Sequence, residues 1–210
     1  MSISIDAAVE KVLAEYQQRI EAEGPRLQQA MRDGTLGSMI DEFLLPVGPD
    51  AGRLINILAK SKKAPTILEL GTSFGYSGIW LAEAARATGG RLITMELSEA
   101  KSKYAREMSQ KAGLADFVDF RVGDAVTLIG ELSVPIDFVL VDLWKDLYVP
   151  CLEAFYPKLN VGALIVSDNM IEPASSAKSI MAYQAVLRAK PRITSVLVAV
   201  GSGLEISRFD

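Results

Sequence analysis

The spacing of apolar residues changes near residue 66, and this change divides the chain into two parts. In the first part apolar residues recur every three or four positions, as at Val9, Leu13, Tyr16 and Ile20, which is typical of an amphipathic helix. The pattern predicts helices over residues 6–21, 25–31 and 50–60, with a loop that contains two prolines and a glycine over 42–49. Helices therefore precede the rest of the chain.

From residue 66 onward, short apolar runs alternate with helical stretches. The alternation predicts strands over 66–70, 91–97, 117–122, 138–141 and 163–166, and helices over 77–87, 99–112, 125–132, 149–159 and 175–189. Two last runs, 193–200 and 204–209, flank a Gly-Ser-Gly turn and indicate an antiparallel hairpin. The predicted fold class is α/β, with a doubly wound, Rossmann-like, mostly parallel seven-stranded sheet. We expect a single domain over residues 1–210, of which residues 1–45 form the N-terminal helices and loop.

Two of the predicted strands end in polar side chains. Asp142, with Lys145 one turn beyond it, follows the 138–141 run, and Asp168 and Asn169 come after the 163–166 run and Ser167. Ligands bind at the carboxyl ends of the strands in open α/β sheets, so these side chains converge if the two strands are neighbours. Carboxylate and amide oxygens suit Mg²⁺, Mn²⁺ or Ca²⁺. Each residue alone also fits a helix cap, a turn or a solvated surface, and only the combination indicates a metal site.

Composition narrows the chemistry further. The chain contains no histidine, which excludes Ser-His-Asp and Cys-His catalysis and leaves Lys, Asp, Glu or Tyr as a general base. The formal net charge of −4, without a basic tract, argues against nucleic acid or an anionic membrane as a partner. A single cysteine, Cys151, fits a reducing compartment, and neither a secretory signal nor an apolar run of roughly 20 residues is evident. We expect a cytoplasmic protein that acts on a small molecule.

A glycine loop follows the first predicted strand. Gly71 permits a sharp turn, and Gly75 lets a ligand approach the backbone near a helix N-terminus. The four-residue spacing differs from the G-x-G-x-x-G pattern of dinucleotide binders. Glu69 would repel a pyrophosphate but suits the cationic S-adenosylmethionine, and Glu96 at the end of the second strand can accept hydrogen bonds from ribose hydroxyls.

Five separated segments occur in an order that resembles a known family. They are ILELGTSFGYSGIWLAEAA, GGRLITMEL, AGLADFVDFRVGDA, DFVLVDLWKDLY and GALIVSDNM. Together they resemble the cation-dependent class I O-methyltransferases, the group of catechol and caffeoyl-CoA O-methyltransferases, over about residues 45–169 and more weakly over the final hairpin. The resemblance implies S-adenosylmethionine as methyl donor, Mg²⁺ (or Mn²⁺ or Ca²⁺), a phenolic hydroxyl of a vicinal diphenol as acceptor, and the homodimer of bacterial-type relatives.

The resemblance also implies roles for individual residues. The cofactor-binding residues would be Val47, Glu69, Gly71, Gly75, Ser77, Glu96, Leu97, Ala125 and Asp142. The metal ligands would be Asp142, Asp168 and Asn169, with Lys145 as the catalytic base, and the acceptor would contact Phe43, Trp144, Lys145 and Asn169. Three positions depart from the catechol enzyme: Leu143 replaces a histidine, Ala125 replaces a serine, and Val196 lies near the position of a substrate-binding glutamate, for which Glu205 is too far along the chain.

Two other functions remain open from the sequence. One is a nicotinamide-dependent oxidoreductase on a similar sheet, which Glu69 and the glycine spacing disfavour. The other is a non-catalytic module that retains a cofactor pocket, which the complete set of metal ligands and lysine disfavours.

Overall fold

A computed structural model describes residues 6–210, and its strands form one mixed sheet. The strands are β1 (Thr66–Leu70), β2 (Arg91–Glu96), β3 (Val118–Val122), β4 (Ile136–Val141), β5 (Leu159–Ser167), β6 (Ile193–Val198) and β7 (Leu204–Phe209). Their order across the sheet is β3-β2-β1-β4-β5-β7-β6, in which β1 to β5 are parallel and β7 is antiparallel to both of its neighbours. The predicted fold class is therefore confirmed.

Helices cover both faces of the sheet. They are α1 (Ala7–Arg32), α2 (Leu36–Met39), α3 (Pro49–Lys60), α4 (Tyr76–Thr88), α5 (Glu99–Lys111), α6 (Ala125–Gly130), α7 (Tyr148–Phe155) and α8 (Ala177–Ala189). Successive strand residues point to opposite faces, so Ile67 packs with α1, α3, α4 and α5, whereas Leu68 packs with α6, α7 and α8. Within residues 6–210, none of the helices combines the length and the apolar character that crossing a bilayer would require.

The N-terminal helix differs from the prediction. Residues 6–21 and 25–31 were expected as two helices, but α1 is continuous and contains Pro25. A proline inside a helix costs about 3 kcal/mol through its missing N–H and its clash with the preceding turn. Contacts on both sides of the proline offset this cost: the Glu23 carboxylate accepts from the backbone N–H of Leu44 (2.7 Å), and Arg26 pairs with Glu42.

A second boundary also lies elsewhere than expected. The predicted helix over 149–159 ends at Phe155, and a short 3-10 turn, Tyr156–Lys158, leads directly into β5. Pro157 lacks the N–H that a longer α-helix would use, so the helix stops early and the strand begins earlier than residue 163.

The strand order places β1 where the chain changes direction. From β1 the chain continues outward through β2 and β3 and then returns to β4 on the other side of β1. Such a switch point opens a crevice at the carboxyl ends of the strands. Leu70 at the end of β1 is paired with Met95 of β2 and with Val141 of β4, and Val141 is paired with Ser167 of β5. The segments that follow these four strands therefore begin side by side.

Candidate active site at the carboxyl edge of the sheet

The two acid-ended strands are neighbours, as the metal hypothesis required. Because Val141 is paired with Ser167, Asp142 and Asp168 follow at the same level of the sheet. Their backbones are anchored in turn: the N–H of Asp142 donates to Leu70 (2.9 Å), and the N–H of Asp168 donates to Val141 (3.0 Å). Asn169 has a φ of 57°, a left-handed conformation that asparagine tolerates better than most residues. Three oxygen-bearing side chains thus lie together.

The chemistry of this cluster fits a hard divalent cation. The Asp168 side chain is 2% exposed, and its Oδ1 has no hydrogen-bond partner among the residues that the structure describes. Burial, and then the neighbouring Asp142, raise the pKa of Asp168 to about 7, and burial also raises the pKa of Asp142 against the opposing effect of Lys145. A cation would satisfy the orphaned oxygen and favour both ionised carboxylates.

The cluster offers a cation two carboxylates and one amide oxygen. Within residues 6–210, no group of three or more His, Cys, Asp or Glu side chains is placed to hold an ion. Two carboxylates and the amide oxygen of Asn169 would therefore be the protein ligands, and the rest of the coordination shell would come from water or from a substrate. Mg²⁺ in proteins commonly keeps several water ligands beside one or two carboxylates.

Lys145 lies against this cluster. Its Nζ donates to Oδ1 of Asn169 (2.8 Å), to the hydroxyl of Tyr148 (2.6 Å) and to the carbonyl of Leu143 (3.2 Å). Burial lowers the pKa of Lys145, and the carboxylates of Asp142 and Asp168 partly oppose this shift. A lysine with a lowered pKa beside a candidate metal site can act as a general base.

The glycine loop meets the cluster of oxygen-bearing side chains at Gly71. The residue has a φ of 98°, and a Cβ atom there would lie 2.7 Å from the carbonyl carbon of Asp142 and closer still to its oxygen. The N–H groups of Gly71 and Thr72 both donate to the carbonyl of Met95 (3.1 Å each). Only glycine allows the loop after β1 to pass this close to the backbone after β4.

Gly75 has a structural explanation that the sequence did not suggest. It precedes the first turn of α4 with a φ of 92°, and a Cβ atom there would lie 2.7 Å from the Cβ of Ala105 in α5. The hydroxyl of Tyr16 donates to the neighbouring Phe74 carbonyl (2.6 Å). Close packing against α5 therefore requires a glycine here, whether or not a ligand approaches the loop.

Glu69 is a fully buried carboxylate beside this loop. Its Oε2 accepts from the hydroxyl of Thr94 (2.6 Å), whereas its Oε1 has no partner in the described part of the chain. Burial raises the pKa of Glu69 to about 7 against the opposing effect of the nearby Ser77 and Thr94 hydroxyls, and the acids Asp142 and Glu96 add to the rise. Ser77 is also buried, in the first turn of α4. An unsatisfied acceptor here fits a ligand that carries an ammonium or sulfonium group.

Glu96 joins the ends of three segments. Its Oε2 accepts from the N–H of Ser73 in the glycine loop (2.8 Å), and its Oε1 accepts from the N–H of Ser98 (2.9 Å). Its backbone carbonyl accepts from Gly123, which shortly precedes Ala125 at the start of α6. The adjacent Leu97 side chain is 74% exposed. Glu96, Leu97 and Ala125, which the resemblance assigns to the cofactor, therefore lie at neighbouring strand ends.

The turn between β6 and β7 contacts two other segments of this edge. The N–H of Met170 donates to Gly203 (3.0 Å), and the N–H of Ile171 donates to Ser202 (2.9 Å). A Cβ atom at Gly203 would lie 2.8 Å from the Cβ of Ile171, and one at Gly201 would lie 3.0 Å from the carbonyl oxygen of Val47. The turn thus packs between the Val47 loop and the segment after Asn169.

The aromatic residues assigned to the acceptor have different environments. Trp144 is 57% exposed beside Lys145, so its indole is free to contact an acceptor. Phe43 is buried, and the guanidinium carbon of Arg26 lies 5.3 Å from its ring centre. An already covered ring contacts an acceptor only if the loop that carries it shifts.

The C-terminal hairpin supplies no free carboxylate for an acceptor hydroxyl at Val196 or Glu205. Val196 is exposed on β6 and carries no polar side-chain atom. Glu205 is completely buried, and Arg188 donates to both of its carboxylate oxygens (2.8 Å each), with Gln184 adding a third contact (3.1 Å). Its role is an ion pair between β7 and α8.

Sequence reasoning missed Tyr148. Its hydroxyl contacts Lys145 Nζ and donates to the backbone carbonyl of Asp168 (3.1 Å). The only signal was its position three residues after Lys145, which places the two side chains on one face of a helical turn.

The known proteins that this chain resembles are O-methyltransferases. The family model described as O-methyltransferase matches residues 18–209. A catechol O-methyltransferase of Niastella koreensis is 35% identical over 131 residues, which cover 60% of this chain and 59% of that protein. Caffeoyl-CoA O-methyltransferase 1 of Eucalyptus globulus is 28% identical over 185 residues, which cover 79% of this chain and 75% of that protein. The chain thus spans about three fifths of the length of the catechol relative.

A solved structure extends the similarity over the whole chain. The crystal structure of the O-methyltransferase from Bacillus cereus in complex with SAH superposes with a TM-score of 0.77 at 26% identity. The match covers 100% of this chain and 94% of that one. Its bound SAH is the demethylated product of S-adenosylmethionine.

Proposed function

The chain belongs to the O-methyltransferase family. We therefore propose that it transfers a methyl group from S-adenosylmethionine to a phenolic hydroxyl of a catechol-like vicinal diphenol, and that this reaction requires a divalent cation. The observation that carries this proposal is the meeting of two half-sites at one sheet edge. The glycine loop beside the unsatisfied Glu69 touches, through Gly71, the backbone of Asp142 in the oxygen cluster. A methyl donor and a chelated acceptor would there be adjacent.

We assign the donor half-site to the strand ends around β1 and β2. Glu69 would face the methionine end of the donor, where its unpartnered oxygen can accept from an ammonium group, and Ser77 lies in the first turn of the adjoining helix. Glu96 would bind the ribose, because each of its oxygens keeps a lone pair after accepting one backbone N–H. The remaining contacts would come from Val47, Gly71, Gly75, Leu97, Ala125 and Asp142.

We assign the acceptor half-site to the oxygen cluster and its surroundings. Asp142, Asp168 and Asn169 would hold Mg²⁺, with Mn²⁺ or Ca²⁺ able to use the same oxygens. When bound, such an ion would lower the pKa of a chelated phenol, as metal ions do for bound water. Trp144 would flank the ring of the acceptor, and Phe43 could do so only after its loop moves.

The residues of the chain would then carry the reaction as follows. Lys145, partly desolvated and held against Asn169, accepts the phenolic proton. The phenolic oxygen attacks the methyl carbon, the carbon–sulfur bond breaks, and its electron pair remains on sulfur, so no covalent enzyme intermediate is required. Holding two substrates in line supplies much of the rate acceleration.

The hairpin bears on the choice of acceptor. Val196 presents an apolar side chain, and Glu205 is bound by Arg188, so neither residue offers a free carboxylate to a second hydroxyl. This favours larger phenols of the caffeoyl type, which can gain apolar contacts, over plain catechol. We further propose that the enzyme acts as a homodimer in the cytoplasm.

The test is methyl transfer from labelled S-adenosylmethionine to a panel of catechols and caffeoyl-type phenols, with Mg²⁺ or with excess chelator. We expect turnover that the chelator abolishes and that falls at least 100-fold in Asp168→Ala. The control is Asp116→Ala, which removes an exposed carboxylate just before β3, at the opposite edge of the sheet. Full activity in chelator would refute the metal role. Calorimetric binding of NAD rather than S-adenosylmethionine would instead revive the oxidoreductase.

A further inference from the structure

Tyr148 stands between the candidate base and the candidate metal site. Its hydroxyl accepts from Lys145 Nζ at 2.6 Å and donates to the backbone carbonyl of Asp168 at 3.1 Å. The hydroxyl therefore both accepts and donates a hydrogen bond, and these two bonds link the lysine through the tyrosine to the segment after β5.

The ring of Tyr148 is fixed by the core. It is 1% exposed and packs edge-to-face on Tyr183, with ring centres 5.1 Å apart and an interplanar angle of 82°. The hydroxyl of Tyr183 is in turn bonded to Ser167 (2.6 Å). A ring held this way gives its hydroxyl a defined position at low entropic cost, because the rotamer is already set by packing.

Lysine needs such a partner more than most bases. Its four-carbon side chain has many rotamers of similar energy, so Nζ samples many positions unless acceptors hold it. Two of its three acceptors here, the carbonyl of Leu143 and the amide of Asn169, belong to loop segments. Tyr148 is the acceptor that belongs to a helix and to the hydrophobic core.

We propose that Tyr148 is a positioning residue, whose hydroxyl fixes Lys145 Nζ relative to Asp168 so that the amine faces the phenolic proton. This inference rests on the proposed function and adds a residue to it. Misplacement of a reacting group by about 1 Å can cost 10²-fold in rate, and loss of one of three contacts should cost part of that.

The experiment compares Tyr148→Phe with Tyr183→Phe in the whole 210-residue chain. Each variant keeps its ring in the same aromatic pair and loses one buried hydroxyl, but only the first hydroxyl touches Lys145. We expect Tyr148→Phe to lower kcat roughly tenfold while KM for S-adenosylmethionine stays within twofold, and Tyr183→Phe to leave kcat within twofold.

The outcomes separate this inference from the proposed function. Equal kcat for the two variants in an active enzyme would overturn the role of Tyr148 alone. A rise in KM for S-adenosylmethionine with unchanged kcat would also overturn it, because the donor site and not the base would then be affected. If the wild-type protein transfers a methyl group to none of the acceptors in the panel, the proposed function itself is refuted.

Discussion

Gly71→Ala tests whether the close contact between the two half-sites is real. The native φ of 98° lies in a region that L-residues rarely adopt, and the added Cβ would lie 2.7 Å from the carbonyl carbon of Asp142 and 3.2 Å from the nitrogen of Leu143. Both neighbours are backbone atoms, so neither can rotate away as a side-chain end would. The chain after β4 must move if alanine is to fit.

Two costs contribute to the expected magnitude. A left-handed alanine costs about 1–2 kcal/mol relative to glycine, and forcing atoms into a packed site typically costs about 1–3 kcal/mol more. We therefore expect Gly71→Ala to lower the free energy of unfolding by about 2–5 kcal/mol. Because the displaced backbone carries Asp142, binding of Mn²⁺ should also weaken.

The chain supplies a matched control in Gly89→Ala. Gly89 also has a left-handed conformation, with a φ of 73°. Within residues 6–210, a Cβ atom added there would have no heavy atom within 4 Å other than those of its chain neighbours and of the backbone of its own helix. The control should lose only about 1–2 kcal/mol. Urea unfolding followed by tryptophan fluorescence measures both variants, and Mn²⁺ titration compares their metal affinities.

Equal losses of stability in the two alanine variants would refute the clash. Weakened Mn²⁺ binding in Gly89→Ala as well would show that the proposed metal site responds to general destabilisation, and not to displacement of Asp142. A large loss confined to Gly71→Ala would support the close approach of the glycine loop to the backbone after β4.

Further predictions concern buried groups and the acceptor site. Burial raises the pKa of Glu69 to about 7 from 4.5, so between these pH values the folded chain keeps a proton that the unfolded chain releases. Without cofactor, this group should lower the wild-type free energy of unfolding by about 3 kcal/mol between pH 4 and pH 8 in urea unfolding, and Glu69→Gln should lack this part of the pH dependence; parallel curves of unfolding free energy against pH would contradict the prediction. Burial raises the pKa of Cys151 to about 12, so a thiol reagent at pH 8 should label it only in urea, and fast labelling of the folded protein would contradict its burial. Because Trp144 is exposed, Trp144→Ala should change the free energy of unfolding by no more than about 0.5 kcal/mol but raise KM for the phenol roughly tenfold. Trp144→Phe should recover part of the lost affinity for the phenol, and an unchanged KM in Trp144→Ala would show that the residue is not part of the acceptor site.

Sequence pattern predicted the sheet well because burial dominates its central strands. β1 and β7 have the predicted bounds: β1 lies between Pro65 and Gly71, and β7 begins directly after Gly203. The pattern could not predict that α1 passes through Pro25, because the compensating contacts come from Leu44 and Glu42, which are far away in the chain. Local propensity was overruled there by tertiary contacts.

The candidate site shows the same division. Asp142 and Asp168 could be predicted to lie together because they directly follow strands whose adjacency the fold class implies. The burial of Phe43, the packing role of Gly75 and the contacts of Tyr148 depend on distances between elements, which spacing along the chain does not encode. The resemblance implied which residues form the site, whereas their hydrogen-bond partners depend on how the elements pack in three dimensions.

The packing of the turn between β6 and β7 has a consequence for protein engineering. Tips of hairpins near the C-terminus are where designers usually place new chain ends, tags or inserted domains. Here Gly201 and Gly203 leave no room for side chains against Val47 and Ile171, and backbone bonds join the turn to the segment after Asn169. A circular permutant opened at this tip would loosen the Val47 loop and the segment after Asn169 at once, so this surface turn is a poor place to cut the chain.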